Sequence, residues 1–77
     1  MEFEALAEIL AEQLSVDKES ITPDTSIMDD LGADSLDLVE IIMAIEQDYD
    51  VEISDEDMEN IHTVGDAYNY IKEKLQQ

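Results

Sequence analysis

The sequence has no cysteine and no tryptophan, and only one histidine, one proline and two glycines. Without cysteine, neither a disulfide nor a thiolate metal site can staple the chain. A single histidine, His62, excludes a histidine-based zinc site. Positive charge is almost missing. Lys18, Lys72 and Lys74 are the whole basic complement, arginine is absent, and 22 Asp and Glu give a formal net charge of -19. Such a surface repels phosphate backbones and anionic membranes, which excludes nucleic-acid binding and argues against a membrane partner. No apolar run approaches a membrane span, so no membrane insertion is expected. The start, Met1-Glu2-Phe3-Glu4, is acidic and reads as helical at once, unlike a secretory signal or an Arg-rich transit peptide. The expected compartment is the cytoplasm, or an organelle lumen if a transit peptide has been removed.

What is present is a globular pattern. A hydrophobic fraction of 44% is too high for a disordered chain. Seventy-seven residues make one domain, 1–77. A chain of this size buries only a little over ~60% of the surface its unfolded form exposes, so its core is small. The charge strains that core by self-repulsion, and it should draw basic protein surfaces toward the molecule.

Phe3, Leu6, Ala7, Leu10 and Leu14 form one stripe of an amphipathic helix that ends near Ser15. A long connection follows from Val16 to Asp34, punctuated by Pro23 and Gly32, with Ile21, Ile27 and Leu31 as apolar pegs. A loop of that length in a compact domain is usually functional or packed. Asp34 is a good N-cap for a second helix, with Asp37 as its capping-box partner and Leu38, Ile41, Ile42, Ile45 and Tyr49 as its core stripe. Ser54 and Asp57 frame a short third helix carrying Met58 and Ile61. Thr63 and Asp66 frame the last, with Val64, Ala67, Tyr68, Ile71 and Leu75 facing inward. The fold class is all-α: a four-helix bundle with a long loop between helices 1 and 2 and a short third helix.

Capping places Ser35 at the first helical position, beside unpaired backbone N–H groups and the positive end of the helix dipole. That position suits a phosphate ester. Gly32 and Ala33 are expected to leave the approach open. From position alone, though, Ser35 is an ordinary helix-start serine. Asp48 to Glu59 offers a different chemistry, with carboxylates at positions 1, 3, 5, 9 and 12 of a calcium-type loop. Ile53 stands where the sharp turn of such a loop needs glycine, so no high-affinity site is expected. Weak divalent binding at Asp48, Asp50, Glu52, Asp55 and Glu56 remains open, and with it a reading as a small acidic cation-binding protein. Gly32-Ala33-Asp34-Ser35-Leu36 also faintly echoes a lipase motif. A serine hydrolase needs a positioned histidine and an oxyanion hole, and His62 starts no triad. No catalytic residue is expected.

Leu31-Gly32-Ala33-Asp34-Ser35-Leu36-Asp37, followed by Val39-Glu40, resembles the attachment motif of acyl carrier proteins, most of all the free-standing carriers of dissociated (type II) fatty-acid synthesis. Met43-Ala44-Ile45-Glu46, Val51-Glu52-Ile53, Asp55-Glu56, Ile61 and Thr63-Val64 extend the resemblance over essentially the whole chain. It implies that a phosphopantetheinyl transferase esterifies Ser35 with 4'-phosphopantetheine from coenzyme A, helped by Asp34. The arm's thiol then carries acyl chains as thioesters, so a cysteine-free chain is no obstacle: the chemistry belongs to the cofactor. The resemblance further implies that Leu36, Asp37, Val39, Glu40, Met43 and Glu46 dock basic patches of fatty-acid synthesis enzymes. Helical spacing does place Leu36, Val39, Glu40 and Met43 away from the core stripe. Stray exposed apolar residues are common enough that spacing alone leaves docking undecided. Ile42, Ile45, Met58, Ile61 and Ala67 are candidates to line an acyl pocket, and plain core packing explains them equally well. A monomer is expected. A carrier of polyketide or other specialised synthesis is the alternative within the same fold.

Overall fold

A computed structural model describes residues 2–76. The expected helical start at Met1 and the last residue of the 1–77 domain, Gln77, lie outside the described residues. Four α-helices follow in order: α1 (Phe3–Leu14), α2 (Ser35–Tyr49), α3 (Asp55–Glu59) and α4 (Val64–Leu75). A 3-10 turn at Lys18–Ser20 interrupts the long connection. No strand is present among the described residues, only an isolated antiparallel bridge between Ser26 and Thr63.

The helices pack along the stripes read from the sequence. Leu6, Ala7 and Leu10 of α1, Leu38, Ile41, Ile42 and Ile45 of α2, and Val64, Ala67 and Ile71 of α4 are buried in one core. Burying each Leu or Ile contributes about 1.5–3 kcal/mol, against about 1 kcal/mol net for a typical hydrogen bond. The core therefore holds the helices, and the polar contacts fix where they start and stop. Two expectations need correction. Ile61 is buried but lies beyond α3, which is capped at Asn60; a tightened turn from Met58 O to Ile61 N carries it inward. Leu75 is 40% exposed. It falls in the last turn of α4, past the core-facing Ile71. Tyr68 is half-buried and meets Phe3 edge-on, ring centroids 5.6 Å apart.

Each α1 and α2 C-terminus reverses through a left-handed residue, Ser15 (φ 56°) and Asp50 (φ 54°). The next N–H groups, of Val16 and Val51, return to Ala11 O and Glu46 O. Asp17 then caps the 3-10 turn, and Lys18 Nζ reaches back to Glu4 Oε1 at 2.8 Å and Glu8 Oε1 at 3.3 Å.

The rest of the long connection is stitched to the start of α4. Val64 N donates to Thr25 O, Gly65 N to Pro23 O and Ile27 N to His62 O, all at 2.9–3.1 Å. Ile21 and Ile27 are buried pegs as expected, and Leu31 is half-buried. Buried Thr25 joins them, its hydroxyl accepting the Thr22 N–H at 2.9 Å. Gly65 is required by this stitch: a Cβ there would stand 2.7 Å from Pro23 O.

Candidate functional site

The turn that leads into α2 is built on Ser26. Its carbonyl accepts the N–H groups of Asp30 and Leu31, its hydroxyl accepts that of Asp29, and its own N–H donates to Asp30 Oδ2 at 2.8 Å. Gly32 follows at φ 72° with nothing within 4 Å of where a Cβ would stand. Its backbone sign, not crowding, calls for glycine. Ala33 is buried and donates its N–H to Ile27 O at 3.2 Å. The two residues therefore do more than leave an approach open. Gly32 turns the chain, and Ala33 plugs it into the core.

Asp34 caps α2 through a complete capping box. Its Oδ1 accepts the Asp37 N–H at 2.9 Å, and Asp37 Oδ2 accepts the Asp34 N–H at 3.3 Å. Ser35 is the first helical residue and is exposed. The N–H groups of Ser35 and Leu36 meet no acceptor among the described residues. An anionic group on the Ser35 oxygen would sit at the positive end of a four-turn helix beside those free donors. The site thus fits a phosphodiester linkage.

Behind Ser35, α2 turns an apolar stripe to solvent. Leu36 is 67% exposed, Met43 51% and Val39 39%, with exposed Glu40 among them. The other two expected docking residues are engaged locally. Asp37 is half-buried within the capping box, and half-buried Glu46 accepts the Ile53 N–H at 3.0 Å. The Glu46 bond spans the bend between α2 and α3, and helical periodicity gives no hint of it. Met28, in the turn before the site, is 44% exposed. Sequence reasoning passed over it, although an apolar residue beside Asp29 and Asp30 was a readable sign.

Ile42, Ile45, Ile61 and Ala67 are buried, and Met58 is half-buried against them, all in the common core. Asp48, Asp50, Glu52, Asp55 and Glu56 are exposed, with Asp50 spent on the left-handed end of α2. No group of three or more His, Asp or Glu side chains among the described residues is gathered closely enough to hold a metal ion. His62 is exposed, its backbone N–H donating to Asp66 Oδ2.

Residues 4–71 match the family described as a phosphopantetheine attachment site. Over 66 residues, 86% of this chain and 82% of the relative, the sequence is 58% identical to an acyl carrier protein of Syntrophobacter fumaroxidans (strain DSM 10017 / MPOB). The chain belongs to the acyl carrier protein family. Solved structures agree. A putative acyl carrier protein from Mycobacterium tuberculosis superposes with a TM-score of 0.86 at 38% identity, covering 91% of this chain and 93% of that one. An acyl carrier protein from Enterococcus faecalis, described for its high thermal stability, gives 0.80 at 36% identity, covering 94% and 91%. This carrier holds its cargo on 4'-phosphopantetheine, and its role is to carry acyl groups in fatty-acid synthesis. No helix among the described residues is long and apolar enough to cross a membrane.

Proposed function

We propose that Ser35 is the residue esterified by 4'-phosphopantetheine, and that acyl chains ride on the arm's thiol as thioesters to successive enzymes of fatty-acid synthesis. One observation carries the assignment. Ser35 is an exposed hydroxyl on the first turn of α2, beside two free backbone N–H groups and directly after the Asp34 cap. Asp34 fixes that turn and presents a carboxylate next to the serine, which suits a transferase that works on coenzyme A. Leu36, Val39, Glu40 and Met43 offer a contact in which apolar area supplies affinity and carboxylates supply orientation and speed. Asp37 and Glu46 support this face by holding the two ends of α2. Partners with basic patches fit it: the phosphopantetheinyl transferase and the synthesis enzymes. The carrier acts as a monomeric single domain, 1–77, in the cytoplasm, a place in keeping with its bacterial relatives. Ile42, Ile45, Met58, Ile61 and Ala67 line the space into which the acyl chain folds. The acidic stretch from Asp48 to Glu56 attracts divalent cations weakly, through its charge.

The test is an intact-mass measurement after incubating the unmodified protein with a phosphopantetheinyl transferase and coenzyme A. The wild type should gain one arm and Ser35→Ala none. An arm on the Ser35→Ala protein would move the attachment point elsewhere and sink the assignment.

A further inference from the structure

The segment between α2 and α4 is held differently from the rest of the bundle. No residue of α3 is fully buried, and its apolar member, Met58, is half-buried. Two side-chain hydrogen bonds tie α3 and the residues just before it to the neighbouring helices. Glu46 of α2 accepts the Ile53 N–H just before the helix. Tyr70 of α4 donates its hydroxyl to Asp57 Oδ2 within the helix. The same Asp57 oxygen accepts from Ser54 Oγ at 2.9 Å, so one carboxylate serves both the cap of α3 and its tie to α4. Lys74 Nζ lies 5.5 Å from the centroid of the Tyr70 ring and steadies it from α4 itself.

Two surface grooves meet at this pair. One, of about 330 Å³, runs past Glu46, Ile53 and Lys74. The other, of about 240 Å³, runs past Asn60, Ile61 and Asp66. Asp57 and Tyr70 line both. The hydrogen-bonded pair therefore stands between the two grooves and forms part of the wall of each. Buried Ile53 and Ile61 contribute the apolar wall of one groove each.

We propose that the Tyr70–Asp57 hydroxyl–carboxylate pair is the latch that holds α3 against α4, and that it sets how much of the interior beneath α3 an acyl chain can occupy. Buried Ile53 and Ile61 pin the two flanks of α3. Within the helix no side chain is fully buried, so between those flanks this bond acts beside half-buried Met58 to resist an outward swing. Releasing it joins the two grooves and frees Met58 and Ile61 to part. The effect on cargo rests on the reading of those two residues as pocket lining. The latch itself does not.

Amide hydrogen exchange on the protein without its arm tests the latch directly. Tyr70→Phe removes one hydroxyl and keeps the ring over which Lys74 sits. The N–H groups of Met58, Asn60 and Ile61, bonded to Ser54 O, Asp57 O and Met58 O, should exchange about five-fold faster, while α1 and the middle of α2 keep their rates. Asp57→Asn retains an acceptor for the hydroxyl and should stay close to wild type. Unchanged exchange at α3 in Tyr70→Phe, or the same acceleration in every helix, overturns the latch. Cargo is tested by loading the arm with short and long saturated acyl chains and recording Tm. Tyr70→Phe should gain more than wild type from the long chain, and the two should respond alike to the short one. If neither protein gains from any chain, storage inside the bundle is wrong and the exchange result alone decides the latch. Equal gains at every chain length would break the link between latch and cargo.

Discussion

At the scale of single residues, backbone geometry is decisive at four positions. Gly65 lies against Pro23, and a Cβ would stand 2.7 Å from a carbonyl oxygen that already accepts the Gly65 N–H. Gly65→Ala must push the loop off α4, and is expected to lose about 1–3 kcal/mol in chemical denaturation; wild-type stability in that variant would show that the stitch yields freely. Gly32→Ala has room for its methyl group but the wrong sign of φ, so its cost is conformational, about 1–2 kcal/mol. Ser15 and Asp50 pose the reverse case, since both hold left-handed φ without being glycine. Ser15→Gly is expected to gain about 0.5–1 kcal/mol, read as a higher urea midpoint with an unchanged slope. None of these four conformations is written in composition. Gly32 could be placed in a turn from sequence because Asp29, Asp30 and Asp34 surround it. Gly65 could not, because its constraint comes from Pro23, far away along the chain.

At the scale of elements, caps and stripes were largely legible. Asp34 with Asp37 and Thr63 with Asp66 are reciprocal capping boxes, as their spacing predicts, and Ser54 caps α3. Helix caps obey rules of three or four residues, so a sequence displays them. The Glu46–Ile53 and Tyr70–Asp57 bonds span bends between elements, and no short-range rule announces them. Leu75 misled for a related reason: it keeps the helical period, but the core it would face has ended. The cap of α4 also gives a pH signature. Backbone N–H groups of Thr63 and His62 hold Asp66 below the usual carboxylate range. A depressed pKa stabilises the folded state above the unfolded value of about 3.9, and that contribution disappears as pH falls through the folded value. Asp66→Asn should therefore flatten the acid limb of the stability profile below about pH 4; a limb as steep as the wild type's would place the acid sensitivity elsewhere. On α2, Glu40→Lys reverses a charge in the middle of the exposed stripe without touching the core. Association with a basic partner should slow several-fold at low salt, and thermal unfolding should hardly change. Equal association rates for the two proteins in stopped flow would remove Glu40 from the docking face.

For the whole molecule, charge sets the terms. Of the three lysines, Lys18 is paired with Glu4 and Glu8, and Lys72 and Lys74 lie over the rings of Tyr68 and Tyr70. None belongs to α2, whose outward side keeps its carboxylates uncompensated. A net charge of -19 on so small a body strains it by self-repulsion. Raising the salt concentration from about 10 to about 300 mM shortens the screening length from roughly 30 Å to under about 10 Å. Tm should climb by several degrees, and magnesium should match that rise at far lower concentration. A flat titration would mean that the charges are already spread widely enough not to matter.

The stitch between the long connection and α4 has one more consequence. The turn that presents Ser35 hangs from Ile27 through the Ala33 N–H, and Ile27 in turn hangs from His62, on the far side of α2 in the chain. A newly made or damaged chain that has not brought these distant segments together has no such turn to offer. Presentation of Ser35 is therefore a product of the closed fold and not of its own short stretch of sequence alone.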